Sequence, residues 1–305
     1  MTQFDVVGFG ALNMDKLFKV GKIASPEEES FVTGFEEACG GSAANTIVGL
    51  ARLGCKVGFI GKVAGDREGK MLFEDFRREG VDTRGIIMAK YGRSGTAMGF
   101  VDHKGERALY VDPGVNDTIE FKEIDKEYVF KTKFLHLTSF IGEKSLQAQK
   151  KLIAMLPENV KISLDPGELY ARRGAMLEPM IKKTFVLMPH AKELELLTGK
   201  AHYKKGAEIL CRKDVKVVAV KLGSKGCYVT DGKESHLIAA FEVKVVDTTG
   251  AGDAFCAGFL YGLISGQSLY ECGRIGNFVA SRCIMKMGAR PGLPRLADLM
   301  KNKSV

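Results

Sequence analysis

The chain has 305 residues, 45% of them hydrophobic and 27% charged, with a formal charge of +8 at pH 7, which suits one large soluble unit with a substantial core. The positive charge is spread along the chain instead of gathered into Lys/Arg runs, which favours small anionic ligands over nucleic acid as partners. No apolar run reaches the roughly 18 residues of a membrane span, and the seven cysteines show no CxxC pair or metal spacing, so the expectation is a cytoplasmic protein without a membrane partner.

Residues 4–9 read as a buried strand ending among Gly8 and Gly10, and Asn13 and Asp15 follow just beyond its carboxyl end. Ligands of open α/β sheets collect there, so these two short polar side chains are candidates for substrate hydroxyls, with a turn or cap as the alternative. Residues 17–36 contain a loop around Ser25-Pro26 and an extended stretch. Gly40, Gly41 and Asn45 then open a helix running to Leu53, where the glycines would let a small polyol lie against backbone amides. A strand at 56–60 and an amphipathic helix at 66–79 come next.

Residues 86–111 break the alternation: strand-like 96–101 and 107–111 flank a turn, suggesting a small separate β lid formed by about 14–36 and 88–112, with an extension of the main sheet as the alternative. Arg107 there is a candidate for a phosphate or substrate contact or a surface charge, and Phe31, Met98, Phe100 and Tyr110 are candidate walls of a slot for a base, with the lid's own apolar face as the alternative. Apolar runs at 134–137, 161–164, 185–188 and 217–220, separated by helical patterns, argue for a single α/β domain over 1–305 with a mostly parallel sheet. Asp231-Gly232 marks a hairpin between 226–230 and 234–239. His136 sits in an apolar strand and reads as structural; His103, His202 and His236 read as turn or surface residues.

The most informative run is Asp247-Thr248-Thr249-Gly250-Ala251-Gly252-Asp253-Ala254-Phe255. Gly250 and Gly252 permit a tight turn with uncovered amides, and a helix starting there adds N–H groups that favour an anion. Asp253 lies one residue beyond, where it could take a proton from a hydroxyl attacking a bound phosphate; the plain alternative is a Gly-rich turn with an Asp N-cap. Neither a G-x-G-x-x-G fingerprint nor a P-loop is present.

Read in order, these pieces resemble the ribokinase-like, or PfkB, family of carbohydrate and nucleoside kinases. Asn13 and Asp15, the Gly40-Gly41 pair with Asn45, Asp112-Pro113-Gly114-Val115-Asn116, Asp165-Pro166-Gly167, Lys221-Leu222-Gly223-Ser224-Lys225-Gly226, the Asp247–Asp253 run and Lys286-Met287-Gly288-Ala289 carry the resemblance. It implies a three-layer α/β fold with a small β lid, and transfer of the γ-phosphoryl group of ATP to a hydroxymethyl group of a sugar or nucleoside with Mg2+ or another divalent cation. Monovalent-cation dependence stays open. By position it implies Asp253 as base, the amides of Gly250, Ala251 and Gly252 as anion hole, and Asn13, Asp15, Gly40, Gly41 and Asn45 around the substrate. Lys221, Gly223, Ser224 and Gly226 would lie along the nucleotide phosphates, with Asn277 and Gly288 near adenine.

His190 stands where these kinases commonly have Asn, three residues before Glu193; Glu193 is expected to organise the metal through water, and the role of His190 on the nucleotide side stays open. Thr138-Ser139-Phe140 lacks the carboxylate of a close ribokinase match. The resemblance also suggests a homodimer through the lid, and the contrasting reading is a non-catalytic sugar- or nucleotide-binding regulator on the same fold.

Overall fold

A computed structural model describes residues 3–104 and 106–301, without the side chain of residue 107, so the contact considered for Arg107 lies outside the described residues. In chain order the first half contains β1 (Phe4–Phe9), β2 (Asn13–Val20), β3 (Val32–Gly40), α1 (Ser42–Arg52), β4 (Val57–Ala64), α2 (Arg67–Arg78), β5 (Ile86–Ala89), β6 (Gly95–Val101), β7 (Arg107–Asp112), α3 (Lys126–Phe130), β8 (Thr132–Leu137) and α4 (Glu143–Met155). The second half contains β9 (Lys161–Leu164), α5 (Gly167–Ala171), α6 (Glu178–Lys183), β10 (Thr184–Leu187), α7 (Ala191–Thr198), α8 (Tyr203–Arg212), β11 (Val217–Lys221), β12 (Cys227–Thr230), β13 (Ser235–Ile238), α9 (Ala251–Ile264), α10 (Leu269–Cys283) and α11 (Leu296–Lys301).

A nine-stranded sheet runs in the order β13-β12-β11-β10-β9-β8-β1-β4-β5. It is parallel from β11 to β5, and β12 and β13 close one edge antiparallel. Both faces are covered, which is why its strands read as continuous apolar runs. In β11 the side chains alternate: Val217 and Ala219 enter the core under α1, α9 and α10, while Val218 and Val220 enter the core under α4 and α8. Helix, sheet and helix thus form three layers. Asp66 caps α2 by accepting the Gly69 N–H at 2.8 Å.

The second sheet, ordered β3-β2-β6-β7, stands beside the carboxyl ends of the large one. Its register pairs Phe18 with Phe35 and Phe100, and Met98 with Tyr110. The segment expected to lie wholly in this small sheet divides: Ile86–Ala89 pairs parallel with β4 and is the edge of the large sheet. A short apolar strand fits either sheet by pattern; the length of β4, continuing to Ala64, supplies the partner edge.

Candidate active site

β1 ends and β2 begins at the mouth of a cleft of about 880 Å³ between the two sheets. Asn13, Asp15, Gly41 and Asn45 line it, together with residues 247–253 and 287–291. The turn between the two strands is held by a residue that pattern reading passed over as a binding element. Asn116 accepts the Leu12 N–H at 2.9 Å and donates to the Leu12 carbonyl at 2.8 Å and to Asn13 Oδ1 at 2.9 Å. Two bonds to backbone and one to Asn13 fix that side chain's direction before any ligand arrives.

β3 returns alongside β2, and its last residue, Gly40, presses against the Asp15 carboxylate so closely that a Cβ there would overlap it. Gly41, at φ 104°, then turns the chain into α1; a Cβ there would strike the Ala11 carbonyl. Burial is the main influence on Asp15, pushing its carboxyl up to about 6 against the opposing pull of the Arg290 guanidinium.

The centre of the site is the start of α9. Gly250 is its N-cap, with φ 76°, in the left-handed region that favours glycine. Asp253 is therefore not the cap, as one reading of the motif had it, but lies half-buried in the first helical turn, with its carboxylate on the cleft wall. Ala251 donates its N–H to Thr248 O at 3.2 Å. Of the three amides expected to form an anion hole, that of Ala251 is thus also engaged within the turn.

Asn45 Nδ2 donates to Asp253 Oδ2 at 2.9 Å, and Thr46 Oγ1 donates to the Asp253 carbonyl at 3.1 Å. The helix of the Gly-Gly element and the helix of the acidic motif are thus joined at their N-termini. Burial pushes the Asp253 carboxyl up to about 7; the Asn45 hydrogen bond opposes this, Asp165 adds to it, and Lys221 opposes it. A carboxylate poised there holds or releases a proton near neutrality, as a general base must.

Behind the anion-hole turn lies a buried ion pair. Lys221 Nζ meets Asp165 Oδ2 at 2.6 Å, and Cys256 Sγ lies 3.4 Å from the same oxygen. A methyl group added to Gly252 would stand 3.3 Å from that ammonium, so a fixed positive charge backs the turn. Asp165 and Glu193 both hold the Lys221 ammonium firmly protonated in spite of its burial.

His190 and Glu193 begin α7 as a capping box. The His190 N–H donates to Glu193 Oε2 at 2.7 Å, and His190 Nδ1 accepts the Lys192 N–H at 3.4 Å. Burial, with the Asp165 charge second, raises the Glu193 carboxyl above the usual carboxylate range, while burial lowers His190. Pro189 O accepts the Lys221 N–H at 2.9 Å, which ties this cap to the end of β11.

Gly223, Ser224 and Gly226 form the turn after β11, closed by Gly226 N–H to Gly223 O at 3.0 Å. Asn277 is buried in α10, and its Nδ2 donates to Ile238 O and Ala239 O, both at 3.0 Å. Its donors thus fasten the end of β13. Gly288 donates its N–H to Asp247 Oδ2 at 2.8 Å and borders the cleft. The structure therefore gathers Asn13, Asp15, Gly41, Asn45, Gly250–Asp253 and Gly288 around one cleft, with Gly40 just behind. His190, Glu193, Lys221, Gly223, Ser224, Gly226 and Asn277 lie outside its lining.

Pattern reading missed Arg290, which is 7% exposed and forms part of the cleft floor. Its position directly after Gly288-Ala289, inside an apolar stretch, was the available signal. The slot-wall expectation is corrected: Leu17, Ala97, Gly99, Leu109 and Val111 line the cleft, while Met98, Phe100 and Tyr110 alternate to the opposite face. There Phe100 stacks on Phe18 at 5.0 Å and meets Tyr110 edge-on at 6.0 Å; Phe31, just before β3, is 80% exposed. His136 is fully buried with Nδ1 3.0 Å from Ser163 Oγ, and burial lowers it to about 4, which keeps the imidazole neutral. Among the described residues, no group of three or more His, Cys, Asp or Glu converges to ligate a metal directly, and no helix is long and apolar enough to cross a membrane.

Comparison with known proteins accounts for this arrangement. Residues 3–296 match the model of the pfkB family carbohydrate kinases. An uncharacterized sugar kinase of Archaeoglobus fulgidus is 50% identical over 82% of this chain and all of its own length. The crystal structure of a ribokinase from Thermotoga maritima superposes with a TM-score of 0.88 at 26% identity, covering 98% of this chain and 100% of that one. A ribokinase of Arabidopsis thaliana, solved with ribose and ATP, superposes with a TM-score of 0.85 at 25% identity over 98% of each chain. The chain belongs to the pfkB family of carbohydrate kinases and has the ribokinase-like fold.

Proposed function

We propose that this pfkB-family chain transfers the γ-phosphoryl group of ATP to a hydroxymethyl group of a small sugar, with Asp253 as the base. The observation that carries the assignment is the half-buried Asp253 carboxylate, poised near neutrality, in the first turn of α9 and bonded to Asn45. Asn13, Asp15 and Asn45 orient the acceptor from the floor, with Gly40 and Gly41 bringing backbone close to it. As the acceptor oxygen forms its bond to the γ-phosphorus, its proton passes to Asp253 and the bond to the β-phosphate oxygen breaks, releasing ADP. Charge spreads onto the transferring oxygens at that moment, where the amides of Gly250 and Gly252 and the α9 terminus meet it without reorganising. Lys221, fixed by Asp165, adds positive charge behind them.

ATP lies over the turn Gly223, Ser224 and Gly226 in this reading, with Gly288 toward the adenine side and Asn277 shaping that side through β13. A hard cation such as Mg2+ keeps several waters and takes phosphate oxygens as ligands, so it needs no dedicated protein cage. The partly buried Glu193, held by the His190 N–H, fits the role of organising those waters. Mg2+ so held would neutralise phosphate charge. His190 serves the site through its backbone and as the cap of α7.

A sugar is favoured over a nucleoside because no aromatic side chain lines the described cleft; a base would need a broad apolar or stacking wall. The same reading places the protein in the cytoplasm and pairs two copies through the outer faces of their small sheets, where Phe18, Phe35, Phe100 and Tyr110 form a continuous run of rings. Sedimentation as a monomer at micromolar concentration would remove the dimer. The deciding experiment is an ATP-consumption screen over pentoses, hexoses, phosphorylated sugars and nucleosides, controlled for ATPase activity without acceptor. Acceptor-dependent ADP formation is expected. Calorimetric binding of a sugar with no ADP formed would instead establish a non-catalytic binding protein.

A further inference from the structure

We propose that Arg290 is a positioning residue for the transfer, fixing the Asn45 side-chain amide so that its NH2 group, and not its carbonyl, faces Asp253. The inference rests on the kinase reading for its consequence, but the geometry stands without it. An arginine side chain only donates hydrogen bonds. Arg290 Nε points at the Asn45 amide at 2.8 Å, so the atom it meets must be the carbonyl oxygen Oδ1. The amide's other end then carries the NH2 group, and that end lies 2.9 Å from Asp253 Oδ2. A flipped amide would set two donors against each other at Arg290 and two acceptors against each other at Asp253. Each mismatch leaves buried polar groups unsatisfied.

The guanidinium is itself held from several directions, so its orientation is fixed in advance. Nη1 pairs with Asp75 on α2, and Nη2 points to the Gly40 carbonyl at 3.4 Å. The guanidinium carbon lies 5.8 Å from the centre of the Phe76 ring. Arg52, paired with Glu79, donates to the Arg290 carbonyl at 2.7 Å and anchors the backbone as well. A line of directed contacts thus runs from Asp75 through Arg290 and Asn45 to the base. Asp253 Oδ2 is committed to Asn45, which leaves Oδ1 to receive the acceptor's proton. The same cation lies near Asp15, so one buried side chain conditions both carboxylates that face the substrate.

Two readouts test this. The Asn45 side-chain NH2 signals, assigned in a 15N spectrum by their loss in Asn45→Ala, are expected to shift and broaden in both Arg290→Gln and Arg290→Lys. Lysine keeps the charge opposite Asp75 and offers a fold-preserving variant, but cannot serve three partners as a planar fork does. In turnover, Arg290→Gln is expected to lower kcat by about 10–100-fold, the range for partners that orient a functional group, with the ATP KM within about 2-fold. Arg290→Lys should restore part of the loss. In an Asn45→Ala background the Arg290→Gln change should cost less than about 2-fold more, because the residue through which it acts is already gone. Equal losses in the two backgrounds, or Asn45 signals unmoved in both Arg290 variants, would overturn the proposal. Wild-type protein showing no acceptor-dependent ADP formation would overturn the kinase reading alone, since the amide signals are read without turnover.

Discussion

The proposed acceptor side, inside the cleft, and the proposed donor side, mostly beyond its lining, are built from different materials. On the proposed acceptor side, side chains from six separate segments grip one another: Asn116 holds Asn13, Asp75 holds Arg290, Arg290 holds Asn45, and Asn45 holds Asp253. On the side proposed for the donor, the nearby groups are mainly backbone: the turn from Gly223 to Gly226, the cap of α7 and the first turn of α9. A shared donor such as ATP can be met by amides that any sequence provides, whereas a particular acceptor needs polar side chains in fixed orientations. The contrast implies that substitutions of side chains should be severe on one side and mild on the other.

The largest effect is expected at the junction of the two sides. Asp253→Asn should cut kcat by about 10²–10⁴-fold, the range for losing a positioned acid–base group, while ATP binding measured by calorimetry stays near normal; retention of full kcat would remove Asp253 as base. Next in size is the pH response. With the Asp253 carboxyl at about 7 and Asp15 at about 6, the free enzyme loses its charged base on acidification. kcat/KM should therefore fall roughly tenfold per pH unit below about 7 and more steeply below about 6. A flat profile from pH 8 to 5.5 would contradict this.

On the donor side, Glu193→Gln should raise the Mg2+ concentration for half-maximal rate by about 10-fold, with the sugar KM unchanged; an unaltered Mg2+ titration would remove its role. Smaller still, Ser224→Ala should change the ATP KM by less than about 5-fold, since its exposed hydroxyl offers at most one neutral hydrogen bond. A loss comparable to that of Asp253→Asn would break the contrast between the two sides.

The last prediction concerns stability. Because burial raises Asp253 above its unfolded value, the folded chain retains a proton that the unfolded chain has released between about pH 4 and 7. Stability from this group therefore falls as pH rises through that window. Asp253→Asn should raise Tm by at least about 2 °C at pH 8, with the gain shrinking toward pH 5, as followed by calorimetry. A gain that did not depend on pH would point to packing and not to charge.

Much of this was legible in the sequence. Long apolar runs separated by helical patterns announced the parallel sheet, and Asn13, Asp15, Gly41, Asn45 and Asp253 lie around one cleft as the family resemblance implied. What escaped was long-range pairing. Arg290 and Asp75 are 215 positions apart, so no local window shows that one neutralises the other. Lys221 and Asp165, 56 apart, pose the same difficulty. Sheet faces escaped for another reason: a strand's alternation tells which residues share a face but not which face meets the ligand, so Met98, Phe100 and Tyr110 were placed on the wrong side. The contact of the Ala251 amide with Thr248 O, made by a turn inside the motif, cannot be seen in composition either.

The bond between Asn45 and Asp253 spans 208 positions of the chain. On a ribosome adding about 5–20 residues per second, Asn45 emerges roughly 10–40 s before its partner. β1 likewise cannot take its place between β4 and β8 until more than a third of the chain has been made. The polar groups of the acceptor floor therefore spend their first seconds without the buried partners that later define them. The contact between Asn45 and Asp253 forms only when the last fifth of the polypeptide closes over the first, and a chain truncated before α9 would carry every strand of both sheets without it.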